Sequence, residues 1–282
     1  MNGFDSFWDN LIEKANTNSM LMSRPVHQGK DGLMYCDKCN HQANMWIDLP
    51  LGRRLVNCTC PCIDEENKRL EKQAEQQKKL AKAESNRRAG IESDEMRQWT
   101  FESDDGSRSR VIEIAKRYCA YFESCKADGF GMVFCGEVGT GKTFTAVCIA
   151  NRLISQGYTV QVSNFADIVG KIQQDFSERN SYLKTLTDLD LLIIDDLSAE
   201  RNSEYMNEQI FSVIDARYKA KQPMIFTTNL RADEIKEPVE TIKKRIYSRI
   251  VERCRIVEFE GANRRKNNGR LNLQKYDGIF NF

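Results

Sequence analysis

The sequence predicts an α/β protein. A parallel sheet flanked by helices should follow a small zinc-knuckle-like module and a polar helical linker. Three observations lead to that reading. The apolar run Gly131–Gly136 breaks into a glycine-rich loop and then opens a helix. A second apolar run, Leu191–Ile194, ends in the acids Asp195 and Asp196. Half of the 10 cysteines crowd into residues 36–62. Buried strands alternating with helical patterns mark a parallel sheet with crossover helices, and clustered thiols in a reducing compartment mark a metal site rather than disulfides.

Composition narrows the function. The 282 residues carry a net charge of +1, so affinity for nucleic acid or a membrane has no global electrostatic driver and must be local. The start, Met1 to Asp9, holds acids and lacks a basic segment followed by an apolar one. No apolar stretch approaches the roughly 20 residues that span a bilayer. A cytoplasmic protein without membrane association is expected.

Taken in order, Phe4, Phe7, Trp8, Leu11 and Ile12 fall on one helical face. Such a face either docks on its own module or fills a partner's groove. Cys36-x-x-Cys39 is the usual zinc knuckle, and Cys58-x-Cys60-x-Cys62 offers the second half of a tetrahedral site. The expected ligands are Cys36, Cys39, Cys58 and Cys60, with Cys62 as the substitute and His41 outside. Four protein ligands leave no open position, so the zinc is structural. Residues 63–90 are rich in helix formers and poor in apolar side chains, which suits a solvated connector ending at Gly90 as a C-cap. Residues 107–127 follow as a helix, with Val111, Ile114, Ala115, Tyr118 and Phe122 on one face.

From Gly136 the chain reads Gly136-Glu137-Val138-Gly139-Thr140-Gly141-Lys142-Thr143, the G-x-x-x-x-G-K-[ST] loop that cradles phosphates. Its glycines turn the backbone so that N–H groups face a polyphosphate. Lys142 reaches the β/γ-phosphates, Thr143 ligates Mg²⁺, and the helix opening at Phe144 adds its positive end. A strand over 159–163 and a helix over 165–176 follow. The run 191–196 then presents Asp195 to Mg²⁺, leaving Asp196 to polarise the attacking water. The later strand 224–229 is expected between the two motif strands. Asn229 at its end would orient water at the γ-phosphate, with Thr228 as the alternative. Residues 243–249 form a basic helix carrying Arg245 and Arg249 at i, i+4. Cys254–Phe259 reads as the last strand.

The sequence Gly136–Thr143, Leu191–Leu197, Thr227-Thr228-Asn229 and Arg245–Ile250 resembles the AAA+ ATPases of the DnaC/DnaI helicase-loader family and, more distantly, the transposition helper IstB. The lead-in from Arg87 to Glu102 and the cysteine module resemble the loaders as well. The resemblance implies an ATPase over residues 91–265, after an N-terminal partner-binding module (1–62) and a linker (63–90), with a tail (266–282). It implies Asn229 as sensor 1, Arg249 as an arginine finger acting on a neighbouring subunit, and Arg265 or the adjacent Arg264 as sensor 2. The implied cofactors are ATP and Mg²⁺. The implied partners are a DnaB-type hexameric replicative helicase, single-stranded DNA and further copies of the chain. An IstB-like transposition helper and a nucleotide-gated helicase adaptor with negligible hydrolysis remain the alternatives.

Overall fold

The structure is a computed structural model and describes residues 25–49, 52–58, 60–104, 106, 109–174, 179–197, 204–238, 240–264, 266 and 273. The aromatic face expected over residues 4–12 lies outside them. The chain divides into two compact units between Lys78 and Lys79, a division that falls within the long helix α1 (Pro61–Gly90).

In the first unit β1 (Val26–Gln28) pairs antiparallel with β2 (Met34–Cys36), and β3 (Asn44–Leu49) with β4 (Gly52–Asn57). The two ribbons are tied where Ala43 N–H bonds Met34 O at 2.7 Å and Asn44 Oδ1 accepts Met34 N–H at 2.7 Å. Between β2 and β3, Asn40 N–H bonds Cys36 O, and Asn40 takes a left-handed φ of 53° to close this knuckle. Pro61 opens α1, where its missing N–H costs nothing because the first helical N–H groups have no intrahelical acceptor.

The second unit holds α2 (Ser109–Ala120) and α3 (Phe122–Asp128), separated at Tyr121 where one helix was expected. Then come β5 (Gly131–Gly136), α4 (Lys142–Ser155), β6 (Val160–Ser163), α5 (Phe165–Gln174), α6 (Arg179–Asp188), β7 (Leu191–Ile194) and α7 (Glu204–Lys219). The chain continues through β8 (Met224–Thr227), α8 (Ala232–Lys236), α9 (Thr241–Arg253) and β9 (Cys254–Phe259). The five strands form one parallel sheet in the order β6-β7-β8-β5-β9. As the motif spacing predicted, β8 lies between the two motif strands β5 and β7.

Period-2 alternation explains why these strands are apolar throughout. Met132 and Phe134 of β5, Leu191 and Ile193 of β7, and Ile225 of β8 enter one core with α2, α3 and α4. Val133, Cys135, Leu192, Ile194, Met224 and Phe226 enter the other with α5, α7 and α9. A parallel sheet covered on both faces needs apolar side chains at every position. This places the C-terminal ends of β5, β7 and β8 side by side, where chemistry in open α/β sheets is found.

Gly90 differs from its expected role. It is the last residue of α1 and has no left-handed φ. Its backbone lies against β6, and a Cβ there would run into the Val160 carbonyl oxygen. Close approach, not capping, demands the glycine. Among the described residues no helix is long and apolar enough to cross a membrane.

Candidate functional site

The loop after β5 has the backbone its glycines predict. Gly136, Gly139 and Gly141 take φ of 126°, 82° and 98°, a region where a side chain is strained. Lys142 is buried and turns back onto the loop, donating to Gly136 O at 2.8 Å and Glu137 O at 2.7 Å. Thr140 Oγ1 donates to Glu137 O at 2.8 Å. These bonds hold the loop arched, with Val138 exposed at its tip. Phe144, in the first turn of α4, packs at 5.5 Å from the Trp99 ring.

The acids of β7 meet this loop. Thr143 Oγ1 donates to Asp195 Oδ1 at 2.8 Å, and Thr227 Oγ1 donates to the same oxygen at 2.6 Å. Thr227 Oγ1 also accepts Asp196 N–H at 2.9 Å. Asp196 has a left-handed φ of 58°, and its Oδ1 accepts from Asn229 Nδ2 at 3.4 Å. Lys142, Thr143, Asp195, Asp196 and Asn229 are thus brought to one edge of the sheet by three parallel strands. A hydroxyl and a carboxylate in direct contact beside a phosphate-binding loop form a hard oxygen donor set that suits Mg²⁺. Thr227, which organises both acids, was not singled out from the sequence. Its place at the end of the inserted strand was the available signal.

A second contribution comes from the segment after β9. Arg264 N–H bonds Gly139 O at 3.0 Å, and the Asn263 side chain fills the space that a Cβ on Gly139 would take. Arg264 therefore lies beside the loop through its backbone, whereas Arg265 lies outside the described residues. A cleft of about 790 Å³ borders the loop through Glu137 and Thr140, but none of Thr143, Asp195 and Asn229 lines it.

Arg249 is elsewhere. Its Nε donates to Asp215 Oδ1 of α7 at 2.8 Å, its Nη1 to Arg245 O at 3.1 Å, and its guanidinium lies 4.6 Å from the Phe211 ring centre. No bond between Arg249 and the phosphate loop occurs among the described residues.

In the first unit, four sulfurs converge: Cys36, Cys39, Cys60 and Cys62 lie within 4.8 Å of one another. Cys62 Sγ is 3.7 Å from Cys36 Sγ, 3.5 Å from Cys39 Sγ and 3.1 Å from Cys60 Sγ. A tetrahedral zinc with Zn–S of about 2.3 Å separates its sulfurs by about 3.8 Å, so the set fits a zinc ion. The expected ligand Cys58 is not in this group, and Cys62 takes its place. Cys58 N–H bonds Ala43 O in the strand register, and Cys58 Sγ points to Gln42 O at 3.2 Å. The helix starting at Pro61 instead carries Cys62 in its first turn, and Cys60 O accepts the first helical bond from Asp64 N–H. His41 stays outside the group, held to Cys39 O. Backbone N–H groups of Cys39 and Lys38 lower the Cys36 thiol to about 6. Cys62 is pushed up to about 12, chiefly by its hydrogen bond with Cys60.

Comparison with known proteins agrees with this architecture. A family model described as IstB-like ATP binding protein matches residues 62–272. The replicative helicase loader DnaC of Escherichia coli (strain K12) is 28% identical over 150 residues, covering 52% of this chain and 57% of that protein. DnaC of Buchnera aphidicola subsp. Schizaphis graminum is 31% identical over 131 residues, covering 45% and 52%. The chain thus spans little more than half the length of these relatives. Among solved structures, the DnaC helicase loader superposes with a TM-score of 0.53 at 22% identity, over 60% of this chain and 100% of that one. DnaI superposes with a TM-score of 0.51 at 22% identity, over 61% and 93%. These last two likenesses speak for the fold. With the matched family model spanning phosphate loop, acids and inserted strand alike, the chain belongs to the IstB-like ATP-binding proteins and has their AAA+ P-loop fold.

Proposed function

We propose that the chain is an ATP-hydrolysing loader that binds a DnaB-type hexameric helicase and helps place it on single-stranded DNA, acting in the cytoplasm. The observation that carries the ATPase half is the contact of Thr143 with Asp195, completed by Thr227, Asp196 and Asn229 at one sheet edge. The curated relatives named replicative helicase loaders support the loader half.

On this reading Glu137 to Phe144 hold the nucleotide, and Lys142 leaves the loop carbonyls for the β/γ-phosphates. Mg²⁺, held by Thr143 and Asp195, supplies neutralisation of phosphate charge. Asp196 orients the attacking water and takes its proton, while Asn229 fixes that water without adding charge. Arg264 or Arg265 contacts the nucleotide from the segment after β9. Arg249 serves the site of a neighbouring copy, where such an arginine is worth roughly 10³–10⁵ in rate. Cys36, Cys39, Cys60 and Cys62 hold one structural zinc, and the N-terminal module with its linker (63–90) grips the helicase. DNA contact is weakly specific and salt-sensitive.

The family match also names IstB, which favours a transposition helper as the second reading. One experiment separates them: the full chain is mixed with hexameric helicase and single-stranded DNA, or with a transposase and duplex DNA, with and without ATP. The loader reading expects an ATP-dependent ternary complex in the first mixture. Complex formation in the second alone overturns it. Arg249→Ala should leave ATP affinity intact and lower DNA-stimulated turnover; unchanged turnover would remove the finger assignment.

A further inference from the structure

Helices α7 and α9 pack side by side through an alternating ladder of rings and guanidinium groups. On α7, Phe211, Asp215 and Tyr218 recur at i, i+4, i+7, one helical face. On α9, Arg245, Arg249 and Arg253 recur at i, i+4, i+8. The Arg245 guanidinium lies 4.3 Å from the Phe211 ring centre, and that of Arg249 lies 4.6 Å from Phe211 and 5.6 Å from Tyr218. The Arg253 guanidinium is 5.3 Å from Tyr218. Arg249 is the middle rung, with a ring on each side.

Asp215 sits between those rings. Its Oδ1 accepts Arg249 Nε at 2.8 Å, and its Oδ2 accepts Lys219 Nζ at 2.7 Å. Its side chain is only 16% exposed, against 26% for Arg249, so the pair is partly withdrawn from solvent and screened less than a surface pair. The bond to Nε matters chemically. A guanidinium held at Nε and bonded through Nη1 to Arg245 O keeps its plane fixed, while among the described residues Nη2 makes no bond. A fixed plane with a remaining donor is what recognition of a phosphoryl oxygen needs.

We propose that Asp215, with Phe211 and Tyr218, is the positioning set for Arg249, fixing the guanidinium before a second copy of the chain presents its nucleotide. The inference rests on the reading of Arg249 as the residue that completes a neighbouring site. Asp215 acts on Arg249, not on the nucleotide itself. An ordinary stabilising ion pair would instead change melting without a selective loss of turnover.

Subunit mixing tests it, with ATP turnover on single-stranded DNA as the readout. Lys142→Ala keeps Arg249 but loses its own nucleotide site; Arg249→Ala keeps the nucleotide site but lacks the arginine. Mixed, the two should regain turnover. The double variant Lys142→Ala/Asp215→Asn, used as the arginine donor, should restore at least about tenfold less, the scale of a small misplacement of a catalytic group. Asp215→Asn alone should lower kcat while KM for ATP stays within about twofold, since its own phosphate loop is untouched. Asp215→Glu should recover part of the loss. Full restoration by the double variant overturns the inference and leaves the finger reading standing. Failure of Lys142→Ala itself to rescue Arg249→Ala overturns the finger reading. If Asp215→Asn melts early, Phe211→Leu in the donor keeps the apolar bulk and removes the ring. It should also weaken rescue, and full rescue with it counts against the inference.

Discussion

The cysteine cluster and the nucleotide site are held together in opposite ways. In the first unit the buried residues among those described are Cys36, Ala43, Asn44 and Cys60. Around them stand two separate two-stranded ribbons, and isolated ribbons are marginal in water. Half of that small interior is sulfur aimed at a common centre. The nucleotide site stands on five parallel strands with an apolar core on each face, and its loop is arched by its own lysine and threonine. In one region converging thiols make up much of the interior; in the other an apolar core on each face carries the site.

Metal removal should have the largest effect. Structural zinc contributes about 10–16 kcal/mol to zinc-finger folding. A strong chelator should therefore erase amide-exchange protection across β1–β4 while β5, β7 and β8 stay protected and ATP still binds. Metal analysis sharpens this: Cys62→Ser should lose the zinc and Cys58→Ser should retain about one equivalent. Protection of β1–β4 that survives the chelator would mean the cluster is not what holds the ribbons.

The second unit has its own weak point, a buried charge. Arg217 is fully buried and donates to Leu186 O, to Leu189 O at 3.2 Å and to Pro223 O at 2.7 Å. These bonds join the end of α6, the start of β7 and the turn before β8. Burial lowers its pKa to about 9. Arg217→Met removes the donors and leaves the carbonyls unserved, at a cost of about 3 kcal/mol. Calorimetry should show the transition of the second unit about 6–12 °C lower, with any zinc content unchanged. A shift under 2 °C would contradict that role.

The smallest effect concerns pH. Asp190 accepts Thr159 N–H at 2.7 Å, Thr159 Oγ1–H at 2.9 Å and Lys126 Nζ at 2.7 Å. Burial alone would raise its pKa, but these donors outweigh it and hold the carboxyl below its ordinary value. Its stabilisation is therefore full above the unfolded value of about 3.9 and lost as pH falls through the folded one. Asp190→Asn should cost about 1 kcal/mol at pH 7. The stabilities of variant and wild type should converge as pH falls below the ordinary carboxylate value, followed by urea melts across the acid range.

What the sequence revealed follows from how local each signal is. The phosphate loop, the acids of β7 and the insertion of β8 between the motif strands were all readable, because each is a short run with fixed spacing. The second half of the cysteine site was ambiguous because C-x-C-x-C fits two registers. Pro61 decides between them by starting a helix that carries Cys62 inward, a signal that was present but unweighed. Thr227 could have been found from its place at the end of the inserted strand, but Asn263 and Asp215 were not legible. Each of these two gains its place from a neighbour distant in sequence, the phosphate loop or another helix, and local periodicity carries no record of such pairings.

One contact sets where the AAA+ domain begins. The buried Asn151 side chain of α4 donates to Met96 O and Trp99 O, both at 2.9 Å, and accepts Arg87 Nε at 3.1 Å. Upstream, the Gly90 backbone presses on β6 and Ile91 is fully buried in the core. A shortened chain starting near residue 100 would leave the Asn151 amide without acceptors and open an apolar hole beside the phosphate-loop helix. The smallest fragment fit for crystallisation starts before Arg87, with the last turns of the connector retained as part of the domain.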